Sequence, residues 1–555
     1  MTDRRFWWML AAIVLLAAIL RGLYPVADPP WRSTVGVVWH DEGPWTHNAR
    51  NKALYGAWVQ DQWNPVFVAP VFTALEYASF KTFGVGLWQA RLVSEAAGVL
   101  SVLLLALGVR RIAGNHAGLF AGALLATNFV YVMYDRAAIM ESLMAAFIVA
   151  SWSCVARAER HLAWGLLAGV FAALAFFTKA AAAAYVAALA LAMIADLPRE
   201  GIRRNLWILA GLAASFGLIG AFFVLPHWSD YQFYNWQMSV TRKPSYDLHS
   251  LVTRVTWFPI LHDTFSRMWA ALCLGIVGAW SVAIGWRRAA KAERLLLLWV
   301  AIGTLELLVH DVGNERRFVF LIPGLVALAS LMLARGALLG DGDLSSSRAR
   351  VLLAAPLILY CAYVIFGPVV RLVYLQDVYA HLLKKPVRLS AALAVLFTVA
   401  LAALWPRLAV VLGRLRWRPT LAAAAVAAGV VWNVAQFWQW AVHRTTWNYE
   451  ASLQIGRALP PGTVVQGKLA NGLALDNLIR PLFIGHGFGN YADRKERADV
   501  RYILTYTDPK IGYEGDQIVD VLAAYPGWRI IMTFPVAETS SGHDRAALID
   551  KRARD

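Results

Sequence analysis

Charge is scarce in this chain. Asp, Glu, Lys and Arg make up 16% of its 555 residues, against roughly 25% in a soluble globular domain. With 59% hydrophobic residues and a mean hydropathy of +0.51, a chain folded wholly in water is excluded. Cysteine is scarcer still. Cys154, Cys273 and Cys361 each sit inside an apolar run at no metal-site spacing. They read as small buried hydrophobes, and no disulfide is needed. There is no Gly-x-Gly-x-x-Gly, phosphate-binding-loop or Ser-elbow motif in the C-terminal region, and no obvious internal repeat. No basic stripe with interleaved aromatics stands out, so a nucleic-acid partner is not expected. The apolar runs are too long, and alternate too little, for a β-barrel.

What the chain does have is a succession of apolar runs of membrane-spanning length. Arg4-Arg5 followed by Phe6–Leu20 resembles the start of a signal peptide, but no small-x-small cleavage site follows. It reads as an uncleaved first transmembrane helix. A hydrocarbon layer of about 30 Å needs about 20 residues per helix. On that basis 13 spans are expected: 6–24, 88–109, 117–134, 139–157, 162–178, 180–195, 205–226, 268–286, 294–311, 317–337, 351–373, 388–409 and 419–440. The stretch 66–83 is placed on the membrane surface, because Glu76 and Lys81 interrupt it. The 25 Trp suit membrane interfaces.

The net charge of +17 belongs almost entirely to this part. From Ala441 onward there are 14 Lys/Arg and 13 Asp/Glu, while the first 440 residues hold 38 and 22. With the N-terminus cytoplasmic, the inner ends and turns carry 20 basic residues, among them Arg111, Arg204, Arg288, Lys291 and Arg335, against 8 in the short outer turns. That bias fixes the orientation. Three segments then lie outside: about 25–87, about 227–267 and the tail 441–555. The tail alternates strand-like runs (463–467, 481–485, 502–506, 528–534) with helical stretches (448–459, 515–524), as a small soluble α/β domain would. The expected architecture is an all-α polytopic membrane domain over 1–440 and an α/β domain over 441–555.

Four groups of ionisable residues fall on the outer side under this one topology. The first is His40-Asp41-Glu42, after the first span. A partly desolvated carboxylate there can serve as a base; the alternative is that Asp41 caps the helix that follows, with Pro44 in its first turn. The second is Asp135-Arg136 with Glu141, at a helix–helix turn. Ionisable groups at membrane depth are costly and point to function, the alternative being an Arg136–Glu141 pair that joins two helices. The third is His310-Asp311-Val312-Gly313-Asn314-Glu315-Arg316-Arg317. Two guanidinium groups suit a lipid phosphate, or only ordinary anionic headgroups. The fourth is Lys179, alone between two apolar helices, where it can also simply snorkel to the interface.

As an ordered set these residues resemble a known family. Asp41-Glu42, then Asn48-Ala49-Arg50, a surface helix ending at Phe83-Gly84, Ala90-Arg91-Leu92-Val93-Ser94, the Arg136/Glu141 turn, Phe177-Thr178-Lys179 and Arg317-Phe318 followed by Pro323 look like GT-C glycosyltransferases that use polyprenyl-phosphate sugars. The nearest group in look is that of the protein mannosyltransferases and the lipid A aminoarabinose transferases. The resemblance covers roughly residues 1–330. It implies a helical membrane domain with a large outer cavity, about 13 spans and a variable soluble C-terminal domain. The Trp-Trp-Asp-Tyr-Gly motif of oligosaccharyltransferases is missing, and Trp447-Asn448-Tyr449-Glu450 does not replace it.

The expected function is transfer of a single sugar from a polyprenyl-phosphate carrier to a glycan, lipid or protein acceptor, on the periplasmic face of a bacterial inner membrane. Asp41 is the expected base and Glu42 its helper. Lys179, Arg316 and Arg317 are expected at the phosphate, and Asp135, Arg136 and Glu141 along the cavity wall. No essential cofactor is expected, although Asp41, Glu42 and Glu141 form an oxygen set that a divalent cation would accept. A lipid or glycolipid transporter binding a phosphate headgroup is the competing reading; the lack of a repeat and the placing of charges at helix ends argue against it.

Overall fold

The computed structural model describes residues 2–30, 39–158, 161–200, 202–239, 245–261, 267–310, 315–335, 355–356, 358–367, 370, 384–414, 419–509, 515–537 and 545–552. The first helix, α1 (Asp3–Gly22), is the expected first span. Next come α2 (Glu42–Tyr55) and α3 (Pro70–Phe83), each of 14 residues and too short to cross a bilayer. The bundle continues with α4 (Leu87–Thr127), α5 (Phe129–Asp135), α6 (Met140–Val155), α7 (Leu162–Thr178), α8 (Ala183–Glu200) and α9 (Ile202–Ile219). It is completed by α10 (Trp228–Ser239), α11 (Leu248–Leu261), α12 (Trp269–Ile284), α13 (Lys291–His310) and α14 (Ile322–Arg335). Beyond these lie α15 (Ile358–Gly367), α16 (Lys384–Arg414) and α17 (Pro419–Val442).

Seven helices among the described residues are long and apolar enough to cross a membrane, or eight if α5 and α6, bent by 115° at their junction, form one broken span. This is fewer than the 13 expected, for identifiable reasons. The expected spans 88–109 and 117–134 are two helices joined in α4 at a kink, Ala113 and Gly114, where the sequence divides them; they count as one apolar helix, and the second breaks again at Asn128. Gly114 has φ +82, a conformation that costs glycine little. Helices α7 and α15 are apolar but shorter than a full span, and α13 carries Glu293, Arg294 and Glu306 among its apolar residues. Of 351–373, residues 351–354, 357, 368–369 and 371–373 lie outside the described residues, as do Asp311, Val312, Gly313 and Asn314 of the third cluster.

Lipid offers no hydrophobic drive between helices, so close packing relies on small side chains. A Cβ on Gly169 of α7 would lie 2.1 Å from the Ile208 carbonyl oxygen, and one on Gly211 of α9 would lie 2.0 Å from that of Leu166. Gly275 and Gly278 of α12 meet α14 in the same way, at Leu325 and Leu328. Helix α14 is buried without a break from Ile322 to Leu333 and forms the middle of the bundle.

The tail begins with α18 (Trp447–Ala458), followed by β1 (Val464–Gln466), α19 (Lys468–Gly472), β2 (Arg480–Leu482), β3 (Tyr502–Tyr506), α20 (Gly515–Ala523), β4 (Arg529–Pro535) and β5 (Arg545–Asp550). The strands form one sheet in the order β2-β1-β3-β5-β4, parallel from β2 to β3 and antiparallel from β3 to β4. Sequence alternation points to the first four strands and not to β5. Its Ala-Ala-Leu-Ile run is buried on both faces between β3 and β4, so it shows no period of two.

Three contacts seat the tail on the bundle. Asp28, in the segment after α1, accepts hydrogen bonds from Thr445 Oγ1 (2.7 Å) and the amides of Trp447 (2.8 Å) and Asn448 (3.3 Å), which caps α18. Arg50 of α2 donates to the carbonyls of Asn477 (2.9 Å) and Ile479 (3.0 Å). Asp476 accepts from the Leu87 amide at the start of α4, at 3.2 Å.

Glu76 is a cost within this architecture. It is fully buried in α3, and neither carboxylate oxygen has a hydrogen-bond partner among the described residues. Burial, and then the Glu42 carboxylate, push its pKa well above the usual carboxylate range. A carboxyl raised in the folded state stabilises fully only below its unfolded pKa, and that stability is lost as pH rises toward the folded value. Glu76→Gln, neutral at every pH, is therefore expected to raise the unfolding temperature more at pH 8 than at pH 5. Equal shifts at the two pH values would mean that Glu76 is ionised and paired.

Candidate functional site

Asp41 ends a short 3-10 turn (Trp39–Asp41) that leads into α2. Its backbone is already helical (φ −81, ψ −18) and its side chain makes no cap hydrogen bond, so the carboxylate is turned to other partners. Lys468 Nζ lies 2.9 Å from Oδ1, and Arg316 Nη1 pairs with Oδ2. Arg316 continues to Glu141, with Nε 3.3 Å from Oε1, and Glu141 pairs in turn with Lys179. The result is an alternating series, Lys468–Asp41–Arg316–Glu141–Lys179, with three cations and two carboxylates.

Each member comes from a different element, placed by local structure. Glu141 is in the first turn of α6, Lys179 terminates α7, and Arg316 lies in a 3-10 turn (Glu315–Leu321) ahead of α14. Lys468 opens α19, in the tail. It reaches Asp41 because α19 lies directly on α2: a Cβ added to Gly43 would fall 1.8 Å from the Asn471 carbonyl oxygen. Only glycine allows this approach.

Burial alone would raise the Asp41 carboxyl, but Lys468 and then Arg316 outweigh it and hold its pKa well below the ordinary carboxylate range. His40, next to it, is pushed down to about 3 by burial and by Lys468, so it is neutral at pH 7. The site thus presents a carboxylate masked by two cations, with a neutral imidazole alongside.

The structure gathers Asp41, Glu141, Lys179 and Arg316 of the expected residues and holds the others differently. Arg317 is adjacent, donating to the His310 carbonyl at 3.1 Å. Glu42 turns away from Asp41. It accepts from Arg91 at both oxygens (2.8 and 2.9 Å) and from the Ala138 amide (2.9 Å). Asp135 faces α1 rather than the outer side: it pairs with Arg21 at 2.8 Å, and both are fully buried. Arg136 caps α1, donating to the carbonyls of Leu20 (3.2 Å), Arg21 (2.5 Å) and Tyr24 (2.7 Å). The expected alternative of an Arg136–Glu141 pair is not what forms, since Glu141 is held by Lys179 and Arg316. Among the described residues no group of three or more His, Cys, Asp or Glu is arranged to hold a metal ion, and both Glu42 oxygens are engaged elsewhere. Lys468 was not legible from the sequence. It is one basic residue in a tail of balanced charge, and nothing in its neighbours marks it.

Comparison with known proteins adds to this geometry. Residues 67–229 match the family model of dolichyl-phosphate-mannose-protein mannosyltransferases. No curated protein matches the chain in sequence. The structure of ArnT from Cupriavidus metallidurans in the apo state aligns over 99% of this chain and 98% of its own, at 15% identity and a TM-score of 0.53. The same protein bound to undecaprenyl phosphate aligns over the same shares, at 16% identity and a TM-score of 0.50. The apo oligosaccharyltransferase of Archaeoglobus fulgidus covers 92% of this chain and 70% of its own, at 13% identity and a TM-score of 0.48. This chain is a multi-pass membrane protein with the fold of ArnT, and residues 67–229 of it are similar to the protein mannosyltransferases.

Proposed function

We propose that the protein transfers a single sugar from a polyprenyl-phosphate carrier to an acceptor hydroxyl or amine, at the periplasmic face of a bacterial inner membrane. The observation that carries this reading is the masked carboxylate: Asp41 held between Arg316 and Lys468. A donor phosphate is the natural competitor for those cations. When it enters, Arg316 and Lys468 exchange the carboxylate for phosphate oxygens, and Asp41 regains its basicity beside the bound donor. The acceptor oxygen or nitrogen then forms a bond to the anomeric carbon while the carbon–oxygen bond to phosphate breaks. The acceptor proton goes to Asp41 and the electron pair stays on the phosphate, with inversion at carbon, as in a single displacement. Phosphate is a weak base, so it needs charge stabilisation more than protonation. Lys179, Arg316, Arg317 and Lys468 supply it, which is why no essential metal ion is proposed.

Glu42 acts through the backbone, fixing the start of α2 and hence Asp41. Glu141 holds Lys179 and Arg316 in place, and Asp135 and Arg136 lock the turn before α6 against α1. The undecaprenyl phosphate bound to ArnT of the same fold supports the choice of a lipid-phosphate donor. The test is transfer by purified protein from a synthetic polyprenyl-phosphate sugar. Lys468→Ala is expected to weaken apparent donor affinity by about tenfold to a hundredfold, the worth of one charge-assisted hydrogen bond, with a smaller change in kcat. An unchanged donor KM in Lys468→Ala would remove the tail from the site.

A further inference from the structure

Helix α2 is buried without a break from Glu42 to Asn51, although most of that stretch is polar. Buried polar groups need partners, and those of α2 find them in several directions. Thr46 donates back to the Glu42 carbonyl at 2.9 Å. Asn48 holds the loop that follows, donating to Asn64 Oδ1 at 2.7 Å and accepting from the Val66 amide at 3.0 Å. Arg50 takes the tail carbonyls of Asn477 and Ile479.

His47 reaches the loop and the tail at once. Its Nε2 lies 2.9 Å from Asp61 Oδ2, and its Nδ1 lies 3.3 Å from the side-chain amide of Asn471 in α19. A carboxylate can only accept, so Nε2 carries a proton on that side, and Nδ1 is left to meet Asn471. The Asn51 amide lies 3.1 Å from Nε2 and closes off its other side. Asp61 is fixed in turn. It accepts from the Trp63 amide at 2.8 Å, and the Trp63 indole donates to the Pro44 carbonyl at 2.8 Å. The buried imidazole is thus clamped from the loop side and presents one nitrogen to the tail.

What it presents that nitrogen to is the helix that carries Lys468. Lys468 and Asn471 stand three residues apart in the five-residue α19, so they share a face. On that face Lys468 Nζ meets Asp41 Oδ1 at 2.9 Å and Asn471 meets His47. The opposite side of α19 is anchored in the tail core by Leu469 and Ala470. Two side-chain contacts therefore set where this helix stands on α2. One is the ion pair that an entering phosphate must open. The other involves no lysine or arginine, so phosphate has little there to compete for. So short a helix has little stability of its own. Once Lys468 leaves Asp41, the contact with His47 is what keeps it in place.

We propose that His47 is a positioning residue for the donor phosphate: by holding Asn471 it keeps α19 seated on α2, and Lys468 within reach of the phosphate after the pair with Asp41 opens. This rests on the role proposed above for Lys468. Two substitutions divide the imidazole between its nitrogens. In His47→Asn the shorter amide stands where Nδ1 was and keeps the contact with Asn471. In His47→Gln the longer amide reaches Asp61 in place of Nε2 and leaves Asn471 without its partner. Both are made in the full-length protein and assayed for transfer from a synthetic polyprenyl-phosphate sugar.

His47→Gln is expected to raise the donor KM about threefold to tenfold, as for one ordinary hydrogen bond, with kcat little changed. It should also speed hydrogen exchange at the backbone amides of residues 468–472. His47→Asn gives up Asp61 instead, and is expected to keep a donor KM close to wild type even where its unfolding temperature falls. Adding His47→Gln to Lys468→Ala should raise KM no further, because no ammonium is left to position. Equal KM values in the two His47 variants, whether both raised or both unchanged, or a further rise in the double variant, overturn the proposal. An unchanged KM in Lys468→Ala alone would instead remove the reading of the tail on which it rests.

Discussion

Asp41→Asn is expected to lower sugar transfer by about 10²–10⁴-fold, the range for losing a positioned general base, in protein that still folds. The asparagine keeps the shape of the side chain and removes only its capacity to take a proton. Donor binding should be unchanged or tighter, because Arg316 and Lys468 no longer have a carboxylate to leave. That pairing of outcomes is diagnostic. A residue that merely organised the start of α2 would tolerate Asn, since Asn serves helix starts about as well as Asp, and the structure already shows the Asp41 side chain making no cap hydrogen bond. Transfer assays and donor titrations on the one variant decide the matter. Near-wild-type turnover would take the base away from Asp41.

Glu42→Gln is expected to fail in a different way. Glu42 neutralises Arg91 within the protein, through two hydrogen bonds of 2.8 and 2.9 Å. Arg91 has no second carboxylate bonded to it among the described contacts; its remaining hydrogen bonds go to the carbonyls of Pro25 and Ala27. Leaving one partner of a buried ion pair uncompensated costs about 3–5 kcal/mol. The variant should therefore show a marked fall in unfolding temperature in detergent and a smaller folded fraction, with turnover per folded molecule reduced less than in Asp41→Asn. Wild-type thermal stability combined with collapsed turnover would instead put Glu42 in contact with the substrate. On the proposed mechanism two adjacent carboxylates separate into a chemical and a structural role, which their adjacency in sequence does not distinguish.

How far the sequence could be read depended on the range of the interaction. Apolar helices and four strands of the tail follow from local pattern, including the division of α4 at Ala113 and Gly114; the number of full spans does not, with seven or eight among the described residues, and β5 departs because two-faced burial leaves no periodic trace. Asp41, Glu141, Lys179 and Arg316 stand out as charges beside apolar helices. Their partners were another matter. Asp135 finds Arg21 across 114 residues and Glu42 finds Arg91 across 49, so a charge expected along a cavity wall and one expected beside the base serve as helix-to-helix fastenings. Gly98 records one of these, since a Cβ there would fall 2.2 Å from the Asp135 carboxylate, but a lone glycine in a membrane helix carries no label in sequence.

The position of Lys468 also bears on how the protein is made. It follows the last apolar helix, Pro419–Val442, so it leaves the ribosome after the whole bundle has been synthesised. A chain halted before it would already contain Asp41, Glu141, Lys179 and Arg316, yet its carboxylate would face a single cation. Only after α18 has been capped by Asp28 and α19 has settled against Gly43 does the second cation arrive. On the proposed mechanism the halted chain would bind donor about tenfold to a hundredfold more weakly, so full affinity for donor comes only with the folded tail.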